Sequence, residues 1–85
     1  MILTMEEYCR FNLASRVTIL DNEGVFLIKK KIDNKLEARL FLLYDFYVET
    51  YYNYKNHQVI KADPIRNKNW LKDFYLDIVH RFNFC

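Results

Sequence analysis

The amino-acid sequence predicts a small α+β protein in which helices pack on a four-stranded antiparallel meander sheet. Three features predict it: a helix-capping pattern near the start, a single glycine that closes the second helical segment, and alternating β-branched and aromatic residues over 46–54. The 85 residues are expected to form one domain, 1–85, with the element order α-α-β-β-β-β-α. A hydrophobic fraction of 52% beside a charged fraction of 28% is typical of a globular chain.

The first two elements are predicted to be helices. Thr4-Met5-Glu6-Glu7 has the pattern of a capping box, so a short helix should run to about Arg10. Asn12 is a second N-cap candidate, and apolar residues follow it at helical spacing: Leu13, Ala14, Val17 and Leu20. Gly24 falls where this helix should stop, and we expect it to occupy the left-handed C′ position that glycine adopts without strain.

The next two elements are predicted to be a β-hairpin, with strands at 25–32 and 35–43. Asp33 and Asn34 form a two-residue turn between them. This turn sets Lys30 opposite Glu37 and places two aromatic residues, Phe26 and Phe41, opposite each other. Opposite charges and paired aromatics favour this register.

The third strand is predicted at 46–54. Alternation divides it into a core face (Phe46, Val48, Thr50 and Tyr52) and a second face (Tyr47, Glu49, Tyr51 and Asn53). The turn at Tyr44-Asp45 leaves two registers open. A two-residue loop puts Phe41 and Leu43 on the core face, with Leu40 and Leu42 beside Tyr47, whereas a three-residue loop with a bulge does the reverse. In both registers the second face carries two large apolar residues.

A short fourth strand is predicted at 58–62, and Asp63-Pro64 should end it because proline cannot donate to the ladder. Asn67 or Asn69 is then expected to cap a final helix. The apolar stripe of that helix consists of Trp70, Leu71, Phe74 and Ile78.

Four short motifs are spread along the chain: Leu3-Thr4-Met5-Glu6-Glu7-Tyr8, Gly24-Val25-Phe26-Leu27, the segment 46–53, and Leu71-x-x-Phe74-Tyr75-Leu76. Together they resemble small bacterial proteins of unknown function from gut anaerobes of the Bacteroides type. The resemblance covers nearly the whole chain and implies a bacterial, cytoplasmic protein of this fold, but it implies no site residue. Asp45 departs from the pattern, since glycine is common there in such proteins.

Composition excludes several classes of function. The net charge of +2 is lower than dedicated nucleic-acid modules carry, and Lys29-Lys30-Lys31 lies in a strand that sends its members to opposite faces. Two cysteines, Cys9 and Cys85, do not make a disulfide framework, and no leader or apolar membrane span is recognisable. His57 and His80 have no metal ligand at a suitable spacing. The sequence therefore predicts a cytoplasmic protein without metal or cofactor, which does not insert in a membrane.

The second face of the sheet carries the functional prediction. Tyr47, Glu49 and Tyr51 point the same way, and tyrosines beside large apolar residues favour an interface. We expect a non-enzymatic interaction or assembly module, either a homodimer or bound to a small protein partner. No base lies beside a nucleophile in the sequence, so no catalytic residue is expected.

The alternative is a nucleic-acid-binding accessory protein, associated with a mobile element. It would use the same two tyrosines with nearby basic residues: Lys29, Lys31, Arg39 and Lys61.

Overall fold

The computed structural model describes residues 2–67 and residue 69. It contains α1 (Met5–Cys9), α2 (Leu13–Glu23), β1 (Val25–Lys31), β2 (Leu36–Leu43), β3 (Phe46–Asn53) and β4 (Gln58–Pro64). The strands form one sheet in the order β1-β2-β3-β4, and each neighbouring pair is antiparallel. The predicted α+β meander is therefore confirmed for these elements, while the predicted C-terminal helix lies outside the described residues.

Both predicted helix starts are confirmed at atomic detail. The Glu7 amide donates to the Thr4 hydroxyl at 3.2 Å, and the Thr4 amide donates to the Glu7 carboxylate at 2.9 Å, which completes the capping box. The Ser15 amide donates to the Asn12 side chain at 2.9 Å. These local bonds satisfy amides that the first turn of a helix leaves without partners.

Gly24 ends α2 as predicted, but the reason given for it was wrong. Its φ is −78° and its ψ is 150°, which is ordinary extended backbone rather than the left-handed region. The constraint at Gly24 is space: a Cβ there would lie 2.7 Å from the Leu20 carbonyl oxygen and 3.2 Å from Leu20 Cδ2. The chain leaves the helix so close to Leu20 that no side chain fits.

The first hairpin differs from the predicted one. Its loop contains three residues, 33–35, because the Ile32 amide donates to the Leu36 carbonyl and β2 begins at Leu36. Asp33 shapes this loop: its carboxylate accepts from the amides of Lys35 and Leu36 at 2.7 and 2.9 Å, and these bonds lower its pKa. The two-residue Asp33-Asn34 turn was therefore wrong.

A β-bulge in β1 partly corrects for the longer loop. The register shifts between Phe26 and Ile28, so Phe26 lies opposite Phe41 as predicted, with ring centroids 5.6 Å apart. Lys30, however, lies opposite Ala38, and Lys31 takes the predicted place opposite Glu37. The predicted Lys30–Glu37 pair was wrong because the loop has one residue more than predicted, and the bulge restores the predicted register only from Phe26 back to the start of the strand.

The turn between β2 and β3 has the two-residue loop, with Tyr44 at a φ of 57°. Phe46 therefore pairs with Leu43, and Val48 with Phe41. We call the face that carries these residues the first face. The helices pack there around a buried core: Tyr8, Leu20, Leu43, Phe46, Val48 and Ala62. Burial of Phe46, Val48 and Thr50 confirms the predicted core face of β3 over this half of the strand.

β4 is longer than predicted, since it runs through Pro64. The prediction stopped the strand at 62 because proline lacks an amide donor. Proline is tolerated here because β4 is an edge strand, with a neighbour on one side within the described sheet.

Candidate functional site

Tyr47, Glu49 and Tyr51 share one face of β3, as predicted, and we call it the second face. Their partners on β2 are Leu42, Leu40 and Ala38. Leu40 and Ala38 are completely buried and Glu49 is 5% exposed, while both tyrosines are half-buried. The expected patch of exposed leucine beside tyrosine is therefore smaller than predicted, because Leu40 does not reach solvent.

The polar groups of the second face interact with one another. Burial raises the pKa of Tyr47 and of Tyr51, and for Tyr51 the nearby charge and hydrogen bond of Glu49 raise it further. Lys61 Nζ lies 5.1 Å from the centre of the Tyr51 ring. A pocket of about 330 Å³ opens beside these groups, lined by Glu49, Tyr51, Lys61, Asp63 and residues 64–67.

Side chains from the helices cap the β4 edge of the sheet at Ala62, while the first half of β4 is mostly exposed, with Ile60 at 46%. Arg16 donates from Nη1 to Asp63 Oδ1 at 2.7 Å and to the Ala62 carbonyl at 3.4 Å, and from Nη2 to the Cys9 carbonyl at 2.7 Å. The Tyr8 hydroxyl donates to the same Ala62 carbonyl at 3.3 Å. Tyr8 is fully buried, which raises its pKa. This edge therefore has a covered backbone acceptor and an ion pair beside it.

The β1 edge is different. In the described sheet β1 has one neighbour, β2, and its first two residues are half-exposed: Val25 at 56% and Phe26 at 51%. Exposed acidic residues, Asp21 and Glu23, end the preceding helix, and exposed lysines 29–31 end the strand itself. The β1 edge thus has an acidic start, an apolar first half and a basic end.

A polar network occupies the part of the first face that lies away from the helix-covered core. We call its four members, Glu37, Arg39, Tyr52 and Tyr54, the tyrosine–arginine cluster. Arg39 Nε donates to Glu37 at 2.6 Å, the Tyr54 hydroxyl donates to the other Glu37 oxygen, and Arg39 Cζ lies 4.3 Å from the centre of the Tyr52 ring. The Tyr52 and Tyr54 rings are 5.6 Å apart and nearly perpendicular.

The carboxylate of Glu37 holds this cluster together. Burial alone raises the pKa of Glu37, but the hydrogen bonds from Tyr54 and Arg39 and the charges of Arg39 and Lys29 outweigh burial, so the pKa lies below its ordinary value. The same bond to Glu37 raises the pKa of Tyr54. At neutral pH the cluster therefore contains an ionised, almost fully buried carboxylate with both oxygens paired.

The predicted nucleic-acid platform is not assembled as expected. Lys29 and Lys31 pair with Arg39 and Glu37, so they lie on the first face. Tyr47 and Tyr51 lie on the second face, where Lys61 is their basic neighbour. The grouping was wrong for Lys29, Lys31 and Arg39. Alternation along β2 and the three-residue hairpin loop place these residues on the face opposite the two tyrosines.

The remaining residues considered in the sequence analysis are the two cysteines and the two histidines. Cys9 is a free, half-buried thiol, and Arg66 Nη2 lies 3.5 Å from its sulfur. His57 Nδ1 lies 3.1 Å from the Tyr52 hydroxyl. His80 and Cys85 lie outside the described residues. Over 2–67 and 69, no three His, Cys, Asp or Glu side chains are grouped to hold a metal ion.

Sequence reasoning missed Arg16 and the tyrosine–arginine cluster. Arg16 lies among the apolar positions of α2, and a basic residue within an apolar stripe was the available signal. Glu37 and Arg39 are two residues apart on one face of β2, opposite Tyr52 and Thr50. This alternation could have been recognised once the Tyr44-Asp45 turn was settled.

Comparison of the chain with protein-family models, curated proteins and solved structures finds no match. The resemblance to Bacteroides-type proteins thus stays a prediction. Among the described residues, no helix is both long enough and apolar enough to cross a membrane.

Proposed function

We propose that this protein is a small, non-enzymatic assembly module that pairs with a second copy of itself through the β1 edge. The contrast between the two sheet edges carries the proposal. Arg16 and Tyr8 cap β4 at Ala62, whereas β1 exposes Val25 and Phe26 at its start. An uncovered edge strand is a template for another strand. A chain of this length also buries a small core, so self-association adds stability.

The charges at the two ends of β1 favour a second copy as the partner. Two copies related by a two-fold axis pair their β1 strands antiparallel. The acidic start of one strand, after Asp21 and Glu23, then lies beside the basic end of the other, with Lys29 and Lys31. Lysines on an edge strand ordinarily discourage pairing. In this arrangement they meet opposite charges.

The position of the two acids within α2 supports the same partner. Asp21 and Glu23 lie in the last turn of the helix, which contains no basic residue. The helix dipole disfavours negative charge there, at a cost of about 0.3–1 kcal/mol for each group. For the isolated chain, lysine would be the better residue at both positions. An external basic partner accounts for the acids.

Tyr47, Glu49 and Tyr51 are the second location for such an interface, and the β1 edge is favoured over them because Leu40 beside them is buried. The test is the molar mass of the purified chain by sedimentation over a range of concentrations. We compare the wild type with Asp21→Lys/Glu23→Lys and with Tyr47→Lys/Tyr51→Lys.

If the β1 edge is the interface, the wild type is dimeric and the Asp21→Lys/Glu23→Lys dimer is at least about tenfold weaker, since each reversed pair changes attraction into repulsion. Thermal unfolding of this variant at low concentration should show a monomer at least as stable as the wild type, because lysine suits the end of a helix. If only the Tyr47→Lys/Tyr51→Lys substitution dissociates the dimer, the interface is on the second face and not at the β1 edge. A wild type that stays monomeric at high concentration would refute self-association.

A further inference from the structure

The first face of the sheet is covered by helices over part of its area. α1 and α2 pack on Leu43, Phe46 and Val48, near the β2–β3 turn. The tyrosine–arginine cluster lies toward the other end of the same strands. Arg39, Tyr52 and Tyr54 are each partly accessible there, and the neighbouring Lys29 and Lys31 are exposed.

The planar groups of the cluster are held in place before any ligand arrives. Glu37 accepts from Arg39 and from Tyr54, and Arg39 lies against the Tyr52 ring at 4.3 Å. The Tyr52 hydroxyl forms a hydrogen bond with His57 Nδ1 at 3.1 Å. Bases of unpaired nucleic acid stack on aromatic rings and on guanidinium planes. Side chains fixed in this way lose little freedom when a base stacks on them.

The charges beside the cluster are positive. Lys29 lies opposite Arg39 and Lys31 opposite Glu37, so both lysines border the cluster on the same face. The Glu37 carboxylate is buried and paired, which leaves the cations to determine the charge presented to solvent. Because β1 and β3 are two strands apart, about 10 Å separates the lysine row from the tyrosine row. A nucleic-acid strand whose phosphates follow the two lysines can therefore place its bases over the tyrosines.

We propose that this part of the first face binds single-stranded nucleic acid, with bases stacked on Arg39, Tyr52 and Tyr54 and phosphates held by Lys29 and Lys31. The site differs from the sequence prediction, which used Tyr47 and Tyr51 of the second face. Its lysines are also those that meet acidic residues of the second copy in the proposed dimer, so Tyr52→Leu, which lies away from the β1 edge, tests the nucleic-acid site separately from dimerisation. A duplex is excluded by the chemistry of the site, since paired bases do not offer their faces for stacking.

The test is fluorescence anisotropy of a labelled oligothymidylate of about 12 nucleotides, a length within the range a small module covers, titrated with the full chain at several salt concentrations. Lys29→Ser/Lys31→Ser should reduce the slope of log K against log salt by about 1.4, which corresponds to two phosphate contacts. Tyr52→Leu should weaken binding about fivefold or more and leave that slope unchanged. It also leaves the β1 edge unaltered.

Arg10→Ser/Lys61→Ser is the matched control, because it removes the same charge away from the cluster and should retain both affinity and slope. Circular dichroism checks that each variant is folded. If Tyr52→Leu is unfolded, the salt-dependence slope of the Lys29→Ser/Lys31→Ser variant tests the proposal, with its oligomeric state measured by sedimentation in the same buffers. Absence of binding at low salt would overturn the proposal. An equal loss of affinity in the control variant would also overturn it. The same holds if unlabelled single strand and duplex of the same sequence compete equally well.

Discussion

Substitution of Gly24 tests the physical reason for the end of α2. In Gly24→Ala the new Cβ lies 2.7 Å from the Leu20 carbonyl oxygen, about 0.7 Å inside the 3.4 Å at which ordinary contacts begin. The oxygen cannot move freely, because it accepts from the Gly24 amide at 2.9 Å, and Leu20 is a core residue at 3% exposure. Relieving the overlap therefore disturbs the core.

Overpacking of this kind costs about 1–3 kcal/mol. Loss of glycine's freedom in the unfolded chain offsets about 0.4–1 kcal/mol. We therefore expect Gly24→Ala to lower the free energy of unfolding by about 0.5–2 kcal/mol, measured by urea denaturation, with Tm falling about 4–8 °C for each kcal/mol. Gly24→Val should cost more, because its branches add to the same overlap.

Gly24→Asn separates the two explanations for this glycine. Asparagine tolerates the left-handed region, so under the original prediction it would be milder than alanine. Under the steric explanation it is no milder, since its Cβ meets the same oxygen. Asn22→Ala, on the exposed surface of α2, is the control. An alanine variant as stable as the wild type, or an asparagine variant clearly more stable than alanine, would refute the reasoning.

Two further predictions concern buried polar groups. The pKa of Glu37 is lowered in the folded chain, so its ionised form contributes stability above the pKa that the group has in the unfolded chain. This contribution is lost as the pH falls through the lowered pKa of the folded chain. The difference in urea midpoint between wild type and Glu37→Gln should thus be largest at about pH 7 and shrink as the pH falls below the ordinary glutamate pKa of 4.5; a constant difference would contradict this. Arg16→Met removes the hydrogen bonds to Ala62, Asp63 and Cys9, and we expect it to cost about 1.5–3 kcal/mol, against little for the exposed Arg10→Met. Equal stability of these two variants in the same denaturation assay would show that Arg16 has no capping role.

The elements were predictable where the deciding interactions are local. Thr4 with Glu7, and Asn12 with Ser15, form their bonds within three residues, so the sequence contains the whole motif. Alternation in β3 was strong enough to identify both faces. The buried residues Phe46 and Val48 follow directly from it.

The registers were predictable only in part, because they depend on backbone detail. The hairpin after β1 has one more loop residue than predicted, and a bulge near Leu27 absorbs the difference only toward the start of the strand. Nothing in the local sequence distinguishes this from a two-residue turn with a regular strand. The grouping of Lys29 and Lys31 with the first-face aromatics depends on the extra loop residue, so the sequence prediction grouped them with the wrong tyrosines.

The unequal edges of the sheet set a limit on growth. A building block with two reactive ends polymerises, whereas one with a single reactive end stops at two units. In the proposed dimer, Arg16 and Tyr8 act as a chain terminator at Ala62 of β4, and the β1 edge is the reactive end. Strand pairing would then close as a two-fold dimer instead of extending into a fibre. Removing the Arg16 cap would convert the same chain into a bifunctional unit, for which light scattering should record assemblies larger than a dimer.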